Sequence, residues 1–548
     1  MKKKLIFFLM LFILTVSIIN TAYGIEYEKY INVRVRSPRQ ENEYIRISGR
    51  DDIGIYKGNL EKNELFLETE KDNLTVKIDS YYNNEKYYNE YDSKVNYGPY
   101  HIIVEEKFKC YEEAVEYLYE IEKETNLRGF VYYDGSDFLP LIGRYISEKK
   151  AEKILSDKFD KYDASIENHK SQSIVIFDGE NPIFSYNNNY NIFFKSGDGE
   201  KIYFDGVEYH GSSAFYIIDE YKLLSINLVS IEDYLKGVVP SEIPSSWHEE
   251  SLKAQAVAAR TYAVSNTRDN PLYGYHVVDN QNSQVYSGIE RENSTTNKAV
   301  EETEGELIYY NDRLITAFYH STSGGKTADS GNVWSTTLPY LISVEDKFSN
   351  ISPYTEWVNE FSKEELIDIL EEEFEVEDIY DMDLLEVSED ERVIEISLKT
   401  DKGEIIFIKE EIRAVLGYSE LKSTWFKIDK NNKIDIIQEV SVYKSNLNEL
   451  EIIKYDDEKL KKEIIGYNKN INIKSKEEEF KLNSSPSLFV IKGRGWGHGI
   501  GMSQYGAKQM AEEGFTYNEI LEYYYTGVEV KWRKNLQKNT FTTIYLRN

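Results

Sequence analysis

The chain has 548 residues, 96 of them acidic and 65 basic, and a formal net charge of −31. That length allows two to four domains, and the surplus of acid argues against a nucleic-acid partner, because binding a phosphate backbone relies on Lys and Arg displacing counterions. A hydrophobic content of 41% excludes global disorder, and the single cysteine, Cys110, excludes an internal disulfide framework and a zinc site built on several thiolates.

Lys2, Lys3 and Lys4, the apolar run Leu5 to Ile19 and the small residues of Ala22-Tyr23-Gly24 have the layout of a secretory signal peptide over residues 1–24. The run is short for a membrane span of about 20 residues; left uncleaved, it would serve as a membrane anchor. Export to the cell wall or the outer face of the cytoplasmic membrane is expected. Residues 25–94 form a β-rich segment in which Ile31, Val33 and Val35, then Ile45 and Ile47, then Leu74, Val76 and Ile78 alternate with polar residues, the period of strands. Asn83 to Lys94 reads as a linker. In 95–165 the pattern predicts a strand at Tyr100–Val104, a helix over Tyr111–Thr125, a strand at Gly129–Tyr133, a further apolar run from Phe138 to Gly143, and a helix over Glu148–Lys158. This order fits a small two-layer α+β module. It resembles SPOR-type domains, which bind peptidoglycan glycan strands stripped of peptide, and it fits an unrelated ferredoxin-like insert equally well. From Ser173 to Asp233 short apolar runs separated by Gly-containing turns predict antiparallel hairpins.

Two segments carry chemistry. In Val238-Val239-Pro240-Ser241-Glu242-Ile243-Pro244 the prolines predict a rigid loop that holds Glu242 among apolar neighbours. Partial desolvation there favours the protonated carboxyl that a general acid needs. A solvated or capping Glu is the plainer reading of the same pattern. Ser246-Trp247-His248-Glu249 matches a capping box ahead of a helix whose Ala254, Ala256, Ala258, Ala259 and Ala263 permit close packing. Arg260 lies in that Ala-rich stretch and needs a specific acceptor, either a buried partner or a substrate. The second segment, Gly493 to Ala507, has five Gly in nine residues interleaved with Trp496 and His498, a pattern for unusual backbone angles and close approach. Helices are expected at about Ser503 to Glu513 and Tyr517 to Tyr525. His320 and His498 lack a third ligand at sensible spacing, so no metal and no cofactor is expected, and no Gly-x-Ser-x-Gly elbow supports a serine hydrolase.

Together Tyr234 to Pro244, Ala254 to Ala263, Gln284 to Gly288, His320 to Thr327, Lys422-Ser423-Thr424 and Gly495 to Ala507 resemble the stage II sporulation protein D family, which includes the amidase-enhancer proteins of bacterial walls. The resemblance implies a catalytic domain over 170–548, with an extended, charged and mobile insertion at about 428–486, in which packed helices on an antiparallel β-rich α+β scaffold form a groove. It implies a lytic transglycosylase that cuts the MurNAc–GlcNAc bond of peptide-stripped glycan strands and leaves 1,6-anhydro-MurNAc ends, with Glu242 as the catalytic acid and base. Gln255, Arg260, Tyr262, Gln284 and Tyr286 are then expected to line or support the groove from one side. His320, Trp496, His498, Gln504 and Tyr505 are expected to do so from the other. The implied partner is a cell-wall amidase like stage II sporulation protein P, which prepares the denuded strand. Competing readings are a non-catalytic wall-binding protein that enhances such an amidase, and an ordinary muramidase. Zinc bound through His and Cys, as in some family members, is not expected, because Cys110 lies in another domain.

Overall fold

The computed structural model describes residues 29–532 apart from 36–43, 59, 61, 84–86, 89, 198, 219–221, 268–273, 335, 432, 439–440, 447–450, 457–458, 465–469, 475–478 and 484–485, and within 431–485 it describes the backbone alone. The expected signal segment lies outside the described residues. No helix among the described residues is long and apolar enough to cross a membrane.

The alternating segments form strands whose apolar residues share one face: Ile31, Val33 and Val35 are at most 4% exposed, while their polar neighbours reach solvent. The architecture is mixed α+β with mostly antiparallel sheets. A seven-stranded sheet runs in the order Val277–Val278, Tyr30–Val35, Lys222–Ser230, Ser212–Ile218, Ile192–Ser196, Ile53–Gly58 and Asn63–Glu68. A ten-stranded sheet runs Ala164–Asn168, Tyr100–Val104, Phe138–Tyr145, Gly129–Tyr133, Asn181–Asn187, Ser173–Asp178, Asn73–Ile78, Tyr44–Ser48, Lys201–Phe204 and Val207–His210. Side chains of both sheets share one apolar core.

Two boundaries expected from the sequence are absent as breaks in the sheets. Strands of the segment 25–94 are woven into both sheets: Tyr30–Val35 pairs with Lys222–Ser230, and Asn73–Ile78 with Ser173–Asp178. The five elements expected in 95–165 are all present, and a sixth, the strand Ala164–Asn168, follows. Helix Tyr111–Thr125 packs on Gly129–Tyr133 and Phe138–Tyr145, and helix Glu148–Lys158 on Tyr100–Val104 and Ala164–Asn168. Gly129–Tyr133 then pairs in parallel with Asn181–Asn187, so this module continues the larger sheet. The Asn83–Lys94 linker contains the strand Tyr87–Tyr88, which pairs with Tyr81–Tyr82.

Helix Glu249–Asn266 joins two cores. Ala256, Ala259 and Ala263 face the sheet core, and Ala254, Val257 and Ala258 face a second core with Met502, Met510 and Ile520. Residues without bulk on both sides let neighbouring elements approach closely. A third core lies between Trp357 and Ile491 and contains the sheet Ile379–Val387, Val393–Thr400 and Gly403–Ile408. The expected insertion is not featureless: its backbone forms three hairpins, Lys433–Gln438 with Ser441–Asn446, Glu451–Asp456 with Lys459–Ile464, and Asn470–Lys474 with Glu479–Asn483.

Candidate functional site

Glu242 is the last residue of helix Ile231–Glu242, not part of a proline-held loop. Pro240 sits in the final turn, where its missing N–H frees only the Lys236 carbonyl. The turn is held by Ser241 Oγ donating to the Gly237 carbonyl at 2.7 Å and by the Ile243 N–H donating to Val239. The next helix is also capped differently from expectation: the N-cap is His248, whose Nδ1 accepts from the Glu250 N–H, and Ser246 lies outside the helix.

Three elements converge on the Glu242 carboxyl. The Val285 N–H, in the loop after Val277–Val278, donates to Oε1 at 2.8 Å. Gln504, the first residue of helix Gln504–Glu512, and the Tyr319 hydroxyl lie against the same carboxyl and favour its anion. Behind them is a polar relay. Gln284 Nε2 donates to Tyr319 Oη at 3.1 Å and to the Ala259 carbonyl at 3.2 Å, and Gln284 Oε1 accepts from Tyr234 Oη at 3.2 Å. Gln504 Nε2 also donates to Gln255 Oε1 at 3.4 Å. Residue Glu242 keeps partial solvent access, but its carboxyl is packed among these groups. Burial pushes the carboxyl up to about 7, against hydrogen bonds from Val285, Gln504 and Tyr319 that favour the anion. Each of those groups is neutral, and burial holds the Tyr319 phenol well above its ordinary value, so it stays protonated and able to donate.

The Gly-rich segment has φ values of +77°, +109°, +80° and +70° at Gly495, Gly497, Gly499 and Gly501. These angles favour glycine, and at Gly497 a Cβ would also stand 2.8 Å from the His320 Cβ. The loop delivers Met502–Ser503 into a parallel pairing with Tyr319–His320. Successive strand residues face opposite sides, so Tyr319 reaches Glu242 while His320 turns to the His498 side. The His320 and His498 rings lie 5.7 Å apart, and His498 also packs against Trp334 at 5.3 Å and Phe318 at 6.1 Å. His320 Nδ1 lies 3.1 Å from the Ile500 carbonyl, and His498 Nδ1 accepts from the Ile500 N–H at 3.0 Å. Burial drives His320 well below its ordinary value and His498 down to about 3, so both are neutral. No third His, Cys, Asp or Glu joins this pair at ligand spacing among the described residues.

The sequence-derived residues therefore separate into groups. Gln255, Gln284 and Gln504 gather at Glu242, and Tyr505 stacks edge-on with Trp247 at 5.1 Å beside them. Tyr262 pairs with Phe318 at 5.6 Å. Trp496 packs on Tyr354 at 4.3 Å and is not among the groups bonded to Glu242. Arg260 and Tyr286 are corrected to internal roles. The Arg260 guanidinium is 1% exposed, forks onto Glu232 at 2.8 and 2.9 Å and donates to the Val300 carbonyl at 3.0 Å. Tyr286 is buried and donates to Asn227 Oδ1 at 3.0 Å.

Sequence reasoning missed Tyr319, which was overshadowed by its titratable neighbour. It also missed Arg392, a fully buried cation that donates to the carbonyls of Ser323 and Lys326 and lies against Gly499. Only the unusual glycine spacing hinted that something bulky had to fit there. Ser423 Oγ donates to the Arg494 carbonyl at 2.6 Å and the Gly497 N–H to Lys422, so the Lys-Ser-Thr motif backs the Gly-rich loop.

A family model described as stage II sporulation protein matches residues 219–310, and one described as a domain of unknown function matches residues 335–445. The chain is 36% identical over 297 residues to an amidase enhancer of Bacillus subtilis, an alignment that covers 54% of this chain and 39% of that protein. It is 32% identical over 342 residues to an uncharacterised protein of Brachyspira hyodysenteriae, covering 62% of this chain and 76% of that one. It is 29% identical over 321 residues to the stage II sporulation protein D of Bacillus subtilis, covering 56% and 76%. The alignment thus spans about two fifths of the length of the amidase enhancer.

Proposed function

The chain belongs to the stage II sporulation protein D and amidase-enhancer family, and from that membership and the surroundings of Glu242 we propose that it is a peptidoglycan lytic transglycosylase acting on peptide-stripped glycan strands. The supporting observation is a single carboxyl pushed up to about 7 whose polar contacts are all neutral. Hydrolysis by two flanking carboxylates needs a second acid at the bond. No charged group is among those that shift Glu242. One carboxyl is enough when the nucleophile comes from the substrate.

In this reading the protonated Glu242 gives its proton to the glycosidic oxygen as the C1–O bond breaks, and positive charge develops at C1. The resulting carboxylate, stabilised by the Val285 N–H, Tyr319 and Gln504, then takes the proton of the MurNAc 6-hydroxyl as O6 bonds to C1. The GlcNAc hydroxyl leaves, the 1,6-anhydro ring closes, and Glu242 is again protonated. Trp247 and Tyr505 offer an aromatic edge for a sugar ring. Export through the amino-terminal segment, a role in sporulation or other wall remodelling, and an amidase partner that strips the peptides belong to the same proposal.

The test is incubation of the purified protein with denuded glycan strands and mass spectrometry of the products. Anhydro ends that disappear in Glu242→Gln while strand binding persists are expected. A second reading is favoured by the name of the 36% identical amidase enhancer: a wall-binding protein that stimulates an amidase. Absence of anhydro product from wild type, together with faster peptide release by an added amidase, would establish that reading instead. Reducing ends would indicate a muramidase.

A further inference from the structure

Asp79, His101 and His169 are fully internal, at 1%, 0% and 6% exposure, and one ligand-type atom from each lies within 4.8 Å of the others. They come from three places in the ten-stranded sheet: the residue after strand Asn73–Ile78, the strand Tyr100–Val104, and the turn after Ala164–Asn168. Sequence spacing gave no reason to group them, and the reaction at Glu242 does not use them. Their hydrogen bonding does not close. His101 Nδ1 lies 2.7 Å from the Gly143 carbonyl oxygen, so that nitrogen carries the proton. His101 Nε2 faces Asp79 Oδ2 at 2.8 Å, a contact that either a shared proton or a metal cation satisfies. His169 Nδ1 stands 3.9 Å from the same oxygen and has no partner, and Asp79 Oδ1 has none either. Polar atoms so deeply buried are costly to leave unpaired.

We propose that Asp79, His101 and His169 form a structural site for zinc or a closely related first-row divalent cation. Two imidazoles and a carboxylate suit such ions, and the His101 Nδ1–H held by a backbone carbonyl is the usual orientation of a ligating histidine. Asp79 can supply both carboxylate oxygens, which makes four donor atoms. Tetrahedral ligands at about 2 Å from zinc lie roughly 3.3 Å apart, so His169 Nδ1, 3.9 Å from Asp79 Oδ2, has to close and His101 Nε2, 2.8 Å from it, has to open, each by about half an ångström. The His169 ring rests on Tyr132 at 4.6 Å, and His101 stands edge-on to Phe130 at 5.6 Å, which shields the site from water. Arg144 already feels the Asp79 charge, so affinity rests on the imidazoles more than on net charge. The ion would pin the 95–165 module to strand Asn73–Ile78.

The test titrates Zn2+ into the full chain, stripped of metal by chelator, against a chromogenic competitor. One equivalent bound at sub-micromolar affinity is expected, with a melting temperature several degrees higher. His169→Gln should weaken binding at least 100-fold and remove the zinc-induced rise. His169→Cys keeps a ligand at the position and should give the Co2+-loaded protein a thiolate-to-metal charge-transfer band that wild type lacks, which locates the ion even if the Gln variant folds poorly. No stoichiometric metal, binding unchanged in His169→Gln, or a Cys variant without the band overturns the site, and Asp79 and His101 are then a proton-sharing ion pair.

Discussion

At the scale of single residues, Glu242 sets a pH dependence whose sign follows from its surroundings. Its carboxyl is raised from 4.5 to about 7 by burial. Between those values the folded protein holds a proton that the unfolded chain has released, so stability falls as pH rises through the window and is level above it. At about 1.4 kcal/mol per unit, the full difference is roughly 3 kcal/mol. Glu242→Gln cannot ionise and still accepts from the Val285 N–H. Its melting temperature should match wild type near pH 4.5 and exceed it at pH 8, and melts across that range check this. The same titration predicts that kcat/KM on denuded strands falls above about pH 7, as the acid form is lost. Arg260 behaves differently. Truncating one partner of a buried pair costs about 3–5 kcal/mol, so Arg260→Ala should lower the unfolding free energy from denaturant titration by roughly that amount. Because Glu232 is 30% exposed, the lower end is expected. If the proposed reaction holds, the folded variant at low temperature should keep wild-type product formation, since the guanidinium contacts only protein groups.

At the scale of elements, what was legible was local. Helical periodicity in the sequence located the helices Tyr111–Thr125 and Glu148–Lys158, and in the structure Ser503 and Thr516 cap the starts of Gln504–Glu512 and Tyr517–Tyr524. The Glu242 element was misread because two prolines outweighed the apolar face of Ile231, Leu235 and Val238, yet a final-turn proline loses a single helical bond. Arg392 was invisible because its acceptors, Ser323 and Lys326, lie more than 60 residues away. The Gly-rich segment was read correctly as a close-approach backbone, and it yields a graded prediction. Outside that segment, past the end of helix Gln504–Glu512, Gly514 has φ +94° and open space around it, so Gly514→Ala should cost about 1–2 kcal/mol of backbone strain. Gly501 has φ +70°, and a Cβ there overlaps the Phe318 carbonyl. Gly501→Ala should cost clearly more and displace Met502–Ser503 from Tyr319–His320, moving Gln504 off Glu242. Melting curves with the product assay check both, and an active, stable Gly501→Ala protein would contradict this account of the loop.

At the scale of the whole molecule, strand pairing decides which parts can be removed. Sheet order could not be read from the sequence, because the pairings that matter join distant segments: Ile31 lies opposite Val229, and Val76 opposite Ile176. Deleting residues 1–94 would strip Tyr30–Val35 from between Val277–Val278 and Lys222–Ser230, Ile53–Gly58 with Asn63–Glu68 from the far edge of the same sheet, and Tyr44–Ser48 with Asn73–Ile78 from the middle of the other. The removals leave unpaired strand edges in both sheets and open the shared core. Such a truncation should show no cooperative thermal transition. The hairpin segment is the opposite case. Strand Phe426–Asn431 and strand Leu488–Gly493 are direct antiparallel neighbours, with Asn431 opposite Leu488, so the chain leaves and re-enters the fold at one point. The intervening residues close a loop, and the entropy of closing a loop grows only slowly with its length. Replacing 432–487 by a tight turn should therefore leave the melting temperature within a few degrees of wild type and preserve anhydro product formation. If activity disappears while the melt is unchanged, the hairpins contact the glycan or a partner. If the melt collapses, they belong to the folding unit, and the hairpin stem is not the closed end that its register implies.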